Sequence, residues 1–154
     1  MKTYLDANAL VRLYLQLSGW EELRGWMTSQ QGRRGWPSPL TDLLRMEATN
    51  AIHRMVYESR TGGQWRITPE SAAIGLAELA EHLAEGSMLQ RAPLALTAVE
   101  SQFDLLSARY TARHGFRTYD LLHVASAVTL GCTRFLSFDA KANALAKLAG
   151  LETA

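Results

Sequence analysis

The sequence is poor in the residues that build covalent or thiolate centres. Cys132 is its one cysteine, which excludes an intramolecular disulfide and a thiolate metal cluster. It follows Gly131 in an apolar stretch and reads as a small core residue. The four histidines, His53, His82, His114 and His123, show no HxxxH spacing of a ligand pair. No apolar run approaches the ~20 residues that cross a bilayer. The start MKTYLDANAL has no long apolar stretch and no cleavage site, so it does not read as a secretory leader. These absences point to a soluble, cytoplasmic protein of a reducing compartment with no membrane partner. Net charge is only +1, so no global field announces a nucleic-acid partner. Lysine is scarce as well, three against thirteen arginines. Arginine suits bidentate phosphate contacts, but GC-rich coding enriches it equally well.

What is present is globular. The chain has 154 residues, of which 47% are hydrophobic and 20% charged. That suits one domain over residues 1–154 with a sizeable core. KTYL reads as a short strand running into Asp6, followed by a helix in ANALVRLYLQ and a second from Gly19 to about Ser29. The loop QQGRRGWPSP contains or precedes a short strand around Trp36. A helix is expected from about Pro39 to Ser59, and another in TPESAAIGLAELAEHLAEG, with a Thr cap and Pro at its first position. SMLQRAP is a strand. TAVESQFDLLSARYTARHG is a helix with Val99, Phe103, Leu106 and Tyr110 on one face, ending at Gly115. TYDLLHVASAVTLG is helical, TRFLSFD a buried strand, AKANALAKLAG the last helix, and LETA a possible edge strand. The alternation predicts an α/β sandwich with a mostly parallel sheet of four or five strands flanked by helices.

Four carboxylates stand out. Asp6 and Asp139 each end a strand, and sites in parallel sheets gather beyond the carboxyl ends of the strands. Asp120 lies at the start of its helix, where such helices commonly face the same edge. Glu47 lies inside the apolar stripe Leu40, Leu44, Ala48, Ala51 and Met55, where a lone charge needs a compensating partner. Each acid has a plain explanation. Asp6 and Asp139 can cap helices, Asp120 can complement a helix dipole, and Glu47 can pair with Arg12 or Arg45. One shared site accounts for all four together. Clustered carboxylates without thiolates or paired imidazoles suit a hard cation such as Mg²⁺ or Mn²⁺, and with it the hydrolysis of a phosphodiester.

YLDANALVRLY, LLRMEATNAIHR, RTYDLLHVASAVTLG and RFLSFDAKANALAKLAGL, in this order, resemble the PIN-domain ribonucleases, most of all the VapC-type toxins of toxin–antitoxin modules. The resemblance spans nearly the whole chain. It implies a PIN-like three-layer sandwich, a metal site of Asp6, Glu47, Asp120 and Asp139 holding Mg²⁺ or Mn²⁺, and hydrolytic cleavage of RNA. Asn8 and Ser137 match polar positions beside the first and last acids and take supporting roles, orienting ligands or water. It also implies a homodimer and an inhibiting antitoxin as partner. The dimer has a second support, because ESAAIGLAELAEHLAEG and SGWEELRGWM carry more apolar surface than a short sheet covers, with Trp20 and Trp26 suited to an interface. His123, one turn after Asp120, is more often a packing residue than a general base. Arg12 and Arg45, with Arg33, Arg34, Arg60 and Arg66, are candidates for RNA phosphate contacts. The alternatives are a PIN nuclease of housekeeping RNA processing or decay, and an inactive binding module on the same fold.

Overall fold

The computed structural model describes residues 2–153. The first strand, β1 (Thr3–Leu5), is wholly buried. The helix α1 (Ala7–Tyr14) follows at once, and α2 (Trp20–Gln30) leads to β2 (Ser38–Leu40). Next come the long helices α3 (Asp42–Arg60) and α4 (Pro69–Glu85), then β3 (Leu89–Arg91). The helix α5 (Leu96–Leu106) widens into a π-helical turn over Ser107–Thr111 and closes as α6 (Ala112–His114). The chain ends with α7 (Thr118–Thr129), β4 (Arg134–Leu136), α8 (Ala140–Leu148) and β5 (Glu152–Thr153).

Every strand pairing is parallel, in two ladders. One has the order β1-β4-β5 and the other joins β2 to β3. β2 runs beside β1 and brings the two ladders together. Among the described residues, the expected four or five strands are five, divided three and two. Tyr4, Leu5, Leu40, Leu89, Phe135 and Leu136 join the helices in one core. α1 packs on α3 and α4, while α7 packs on α5 and α8. Gly75 permits the close approach of α4 to α1, because a Cβ there would run into the Tyr14 carbonyl.

Local rules placed most elements. Thr68 accepts from Ser71 N, and the Ser71 hydroxyl in turn accepts from Thr68 N, a capping box with Pro69 at the first helical position. The largest departures from the expected elements lie in two stretches. The helix expected from Pro39 begins at Asp42, capped by Thr41 Oγ1, which accepts from Leu44 N at 3.1 Å. Pro39 and Leu40 are strand residues, facing Gln90 and Arg91 of β3. Leu40 is apolar and suits either element, so only pairing with a distant segment decides between them. The π-helical turn at Ser107–Thr111 is also absent from the helical pattern, because Val99 and Leu106 remain buried on either view. Gly115 ends this run with φ +66°, the left-handed value that glycine tolerates.

Candidate active site

β1 and β4 are parallel neighbours, with Leu5 opposite Leu136. Their carboxyl ends therefore lie side by side. The next backbone bond, Asp6 N to Leu136 O at 3.0 Å, carries the ladder one residue further. Asp6 then starts α1. Its Oδ1 accepts from Ala7 N at 2.7 Å, so the acid is an N-cap. Asp139 caps α8 in the same way, accepting from Lys141 N at 2.8 Å and Ala142 N at 3.0 Å. Both plain explanations hold locally, and neither moves the acids from the shared sheet edge.

Asn8 and Ser137 tie these ends together. Ser137 Oγ lies 2.8 Å from Asp6 Oδ2 and accepts from Asp139 N at 3.0 Å. Asn8 donates to Asp6 Oδ2 and to Ser137 Oγ, and its Oδ1 accepts from Phe138 N at 2.9 Å. Asn143 holds the Ser137 carbonyl from α8 at 2.8 Å. Asp6 is nearly buried, and that burial raises its carboxyl above the ordinary aspartate range against the pull of His123, Ser137 and Ala7 N. Burial also pushes on Asp139. There the Ala142 and Lys141 amides and Arg117 outweigh it and hold the carboxyl below that range.

The other two acids come from helices. Glu47 lies beside the buried stripe of α3, formed by Leu44, Ala48, Ile52, Met55 and Val56. Its partner is neither Arg12 nor Arg45. Glu47 Oε2 meets His123 Nε2, and His123 Nδ1 lies 2.9 Å from the Tyr4 hydroxyl. His123 is only 2% exposed. A buried imidazole thus links a core tyrosine to a carboxylate at the edge of the core. Asp120 sits in the first turn of α7, where its Oδ2 accepts from Arg117 N at 3.2 Å. The Arg117 guanidinium grips both Asp120 oxygens, Nε to Oδ2 at 2.9 Å and Nη2 to Oδ1 at 3.0 Å. Nη2 also reaches Asp139 Oδ2 at 3.0 Å. These carboxylates raise the Arg117 pKa further.

Asp6, Glu47, Asp120 and Asp139 all line one open cleft of about 460 Å³. Asn8 and Arg12 share its wall with Arg117 and Tyr119. Arg12 is committed locally, donating to the Ser18 carbonyl and lying 4.1 Å from the centre of the Phe138 ring. Arg45 is not among the lining residues, and Ser137 stands behind Asp6 rather than on the surface. Arg117 is a site residue that was not among the candidates from sequence. Its signal was its place three residues before Asp120 at a helix start, a spacing at which side chains meet. The tie of Glu47 to His123 left no sequence signal, since 76 residues separate the two.

A hard divalent ion suits these donors in kind, four carboxylates with no thiolate. Their arrangement carries other occupants, with Arg117 bridging Asp120 to Asp139 and His123 holding Glu47. Among the described residues, no three His, Cys, Asp or Glu side chains are grouped as a metal centre. Among them, too, no helix is long and apolar enough to cross a membrane.

No curated protein matches the chain. The family model for the PIN domain matches residues 3–148. That span runs from β1 to the end of α8 and includes all four acids. PIN domains are generally nucleases that act on RNA and typically use divalent metal ions. The chain belongs to the PIN-domain family.

Proposed function

We propose that residues 1–154 form a metal-dependent endoribonuclease, the toxin of a toxin–antitoxin pair. One observation carries the reading: four carboxylates from four separate segments line one cleft at the carboxyl edge of the β1–β4 pair. Acids gathered without a ligand repel one another. Purely structural acids would not need to share a cleft wall. In this reading Asp6, Glu47, Asp120 and Asp139 would hold Mg²⁺ or Mn²⁺, which would supply a Lewis acid and a water of lowered pKa. Asp6 keeps one orientation because the Ala7 amide, Ser137 and Asn8 restrain its two oxygens. His123 braces Glu47 from the core. Hydrolysis of the P–O3′ bond would give the water's hydroxyl to the 5′-phosphate and its proton to the 3′-hydroxyl.

A second groove, lined by Leu43, Met46, Asn50 and Arg54, shares Glu47, Ala51 and Tyr119 with the acid cleft. Tyr119 is 54% exposed. Its ring suits stacking by a base next to the scissile phosphate. A homodimer agrees with Ile74, 70% exposed on α4. Trp26 is less available to a partner, since it meets the Trp36 ring edge-on at 6.1 Å within the chain. An antitoxin segment laid across the acid cleft would block RNA and metal together.

The test is brief induction in a host without the antitoxin, with sequencing of RNA 5′ ends. Growth arrest with new 5′-phosphate ends, both lost in Asp120→Asn at equal protein level, is the expected result. Arrest that survives this substitution, or 2′,3′-cyclic phosphate ends, would sink the reading.

A further inference from the structure

The cleft contains its own cation. Arg117 makes two side-chain bonds to Asp120 and one to Asp139, while its side chain remains 62% exposed. Its neighbours are committed elsewhere. Arg12 donates to the Ser18 carbonyl and lies on Phe138, and Lys141 Nζ donates to the Gly115 carbonyl at 3.2 Å. Arg117 is therefore the cation placed on two of the acids at once. Its position follows from local geometry. Three residues before Asp120 at the start of α7, it faces that carboxylate, and its planar fork suits a bidentate grip. The β4–α8 turn brings Asp139 within reach of the same Nη2.

We propose that Arg117 is an internal counter-cation of the Asp120–Asp139 subsite, and that a divalent ion takes these two carboxylates by displacing its guanidinium. The proposal rests on the divalent-ion reading above and deepens it. Four unneutralised carboxylates would strain the metal-free fold, and Arg117 relieves two of them. The relief is exchangeable because the guanidinium is mostly in water, where an ion pair is weak and easily opened. Among the described residues, no arginine or lysine side chain is bonded to Asp6, on which His123 acts only electrostatically. The Asp6 oxygens are held by an amide, a hydroxyl and a side-chain amide. An arriving ion therefore competes with a bonded guanidinium at one end of the site and with hydrogen-bond donors at the other.

The experiment is a Mn²⁺ titration of the full chain at low salt, with free Mn²⁺ read by electron paramagnetic resonance. The parent is compared with Arg117→Gln and Arg117→Lys. Competition predicts that both variants bind Mn²⁺ more tightly, by about five-fold, the scale of a weak ion pair opened at an exposed guanidinium. Lysine keeps the charge and loses the fork, so its gain separates displacement from a diffuse charge effect. In the parent, saturating Mg²⁺ should also speed hydrogen exchange at Arg117 Nε. Equal Mn²⁺ affinity in all three proteins would overturn the displacement and leave the metal reading intact. Weaker binding by the variants would overturn it too, and so would a gain confined to Arg117→Gln. Absence of Mn²⁺ uptake by all three would overturn both. If Arg117→Gln fails to fold, Arg117→Lys carries the comparison alone.

Discussion

The cleft is walled by two kinds of carboxylate. Asp6 and Asp139 stand at strand ends and are held by backbone amides as helix caps. Glu47 and Asp120 project from helices and are held chiefly by the side chains of His123 and Arg117. Substituting the first pair disturbs the ends of α1 and α8 as well as the site. Of the second pair's partners only the exposed Arg117 exchanges readily, so the loss of Asp120 falls more on chemistry and less on folding. A fold can thus place two acids as by-products of its strand–helix turns and needs dedicated side chains only for the others.

The largest expected effect tests the helix pair. Asp120→Asn should lower RNA hydrolysis by about a hundredfold or more, the scale of removing one electrostatic stabiliser, with little change in melting temperature. A gel assay with Mn²⁺ measures the first and calorimetry the second. Parental rates would show that the pair lies outside the chemistry. Next in size is the brace behind Glu47. His123→Ala leaves the Tyr4 hydroxyl without this partner and opens a hole in the core, costing about 3 kcal/mol. In a chain of this length that is a fall of roughly 6–12 °C in EDTA. Glu47→Gln keeps a polar group against His123 and should cost about 1 kcal/mol in EDTA, with a smaller gain in melting temperature on adding Mn²⁺.

The strand-end pair is tested by what each substitute can cap. Asp139→Ala loses the acceptor for the Lys141 and Ala142 amides and should cost about 1 kcal/mol, whereas Asp139→Asn caps nearly as well. Both should lose nuclease activity alike, which parts the structural role from the chemical one. Denaturant melts that rank the two variants equally would dismiss the cap. The smallest effect is one of pH, with opposite signs for the two acids. Burial raises Asp6, so on acidification its folded form takes up a proton first, and this favours folding down to the ordinary aspartate value of about 3.9. Asp139 is lowered, so below about pH 3.9 the unfolded form takes up the proton first and stability is lost. In EDTA, Asp6→Asn should remove the gain above that pH and Asp139→Asn should soften the loss below it. Melting curves through the acid range would show the reverse if the environments were exchanged.

Much of this could be read from the residues in order. Thr68 and Pro69 announced α4, Gly115 announced the end of α6, and Asp6 and Asp139 announced their strand ends. Each is a local signal, set by backbone hydrogen bonds within a few residues. The parallel α/β class followed from alternation of apolar strands and amphipathic helices. The answer to the charge in the apolar stripe of α3 was not local. His123 reaches Glu47 only because the fold sets this α7 side chain between Tyr4 and Glu47, and Arg117 reaches Asp139 only because α7 starts beside the β4–α8 turn. The strand at Pro39 and Leu40 likewise needed β3 to pair with. The sequence by itself determined which acids exist, which of them cap helices, and which sheet edge they share. Tertiary structure alone decided that Glu47 meets His123 and that Arg117 also reaches Asp139, because contacts between distant segments depend on packing distances that no spacing along the chain records.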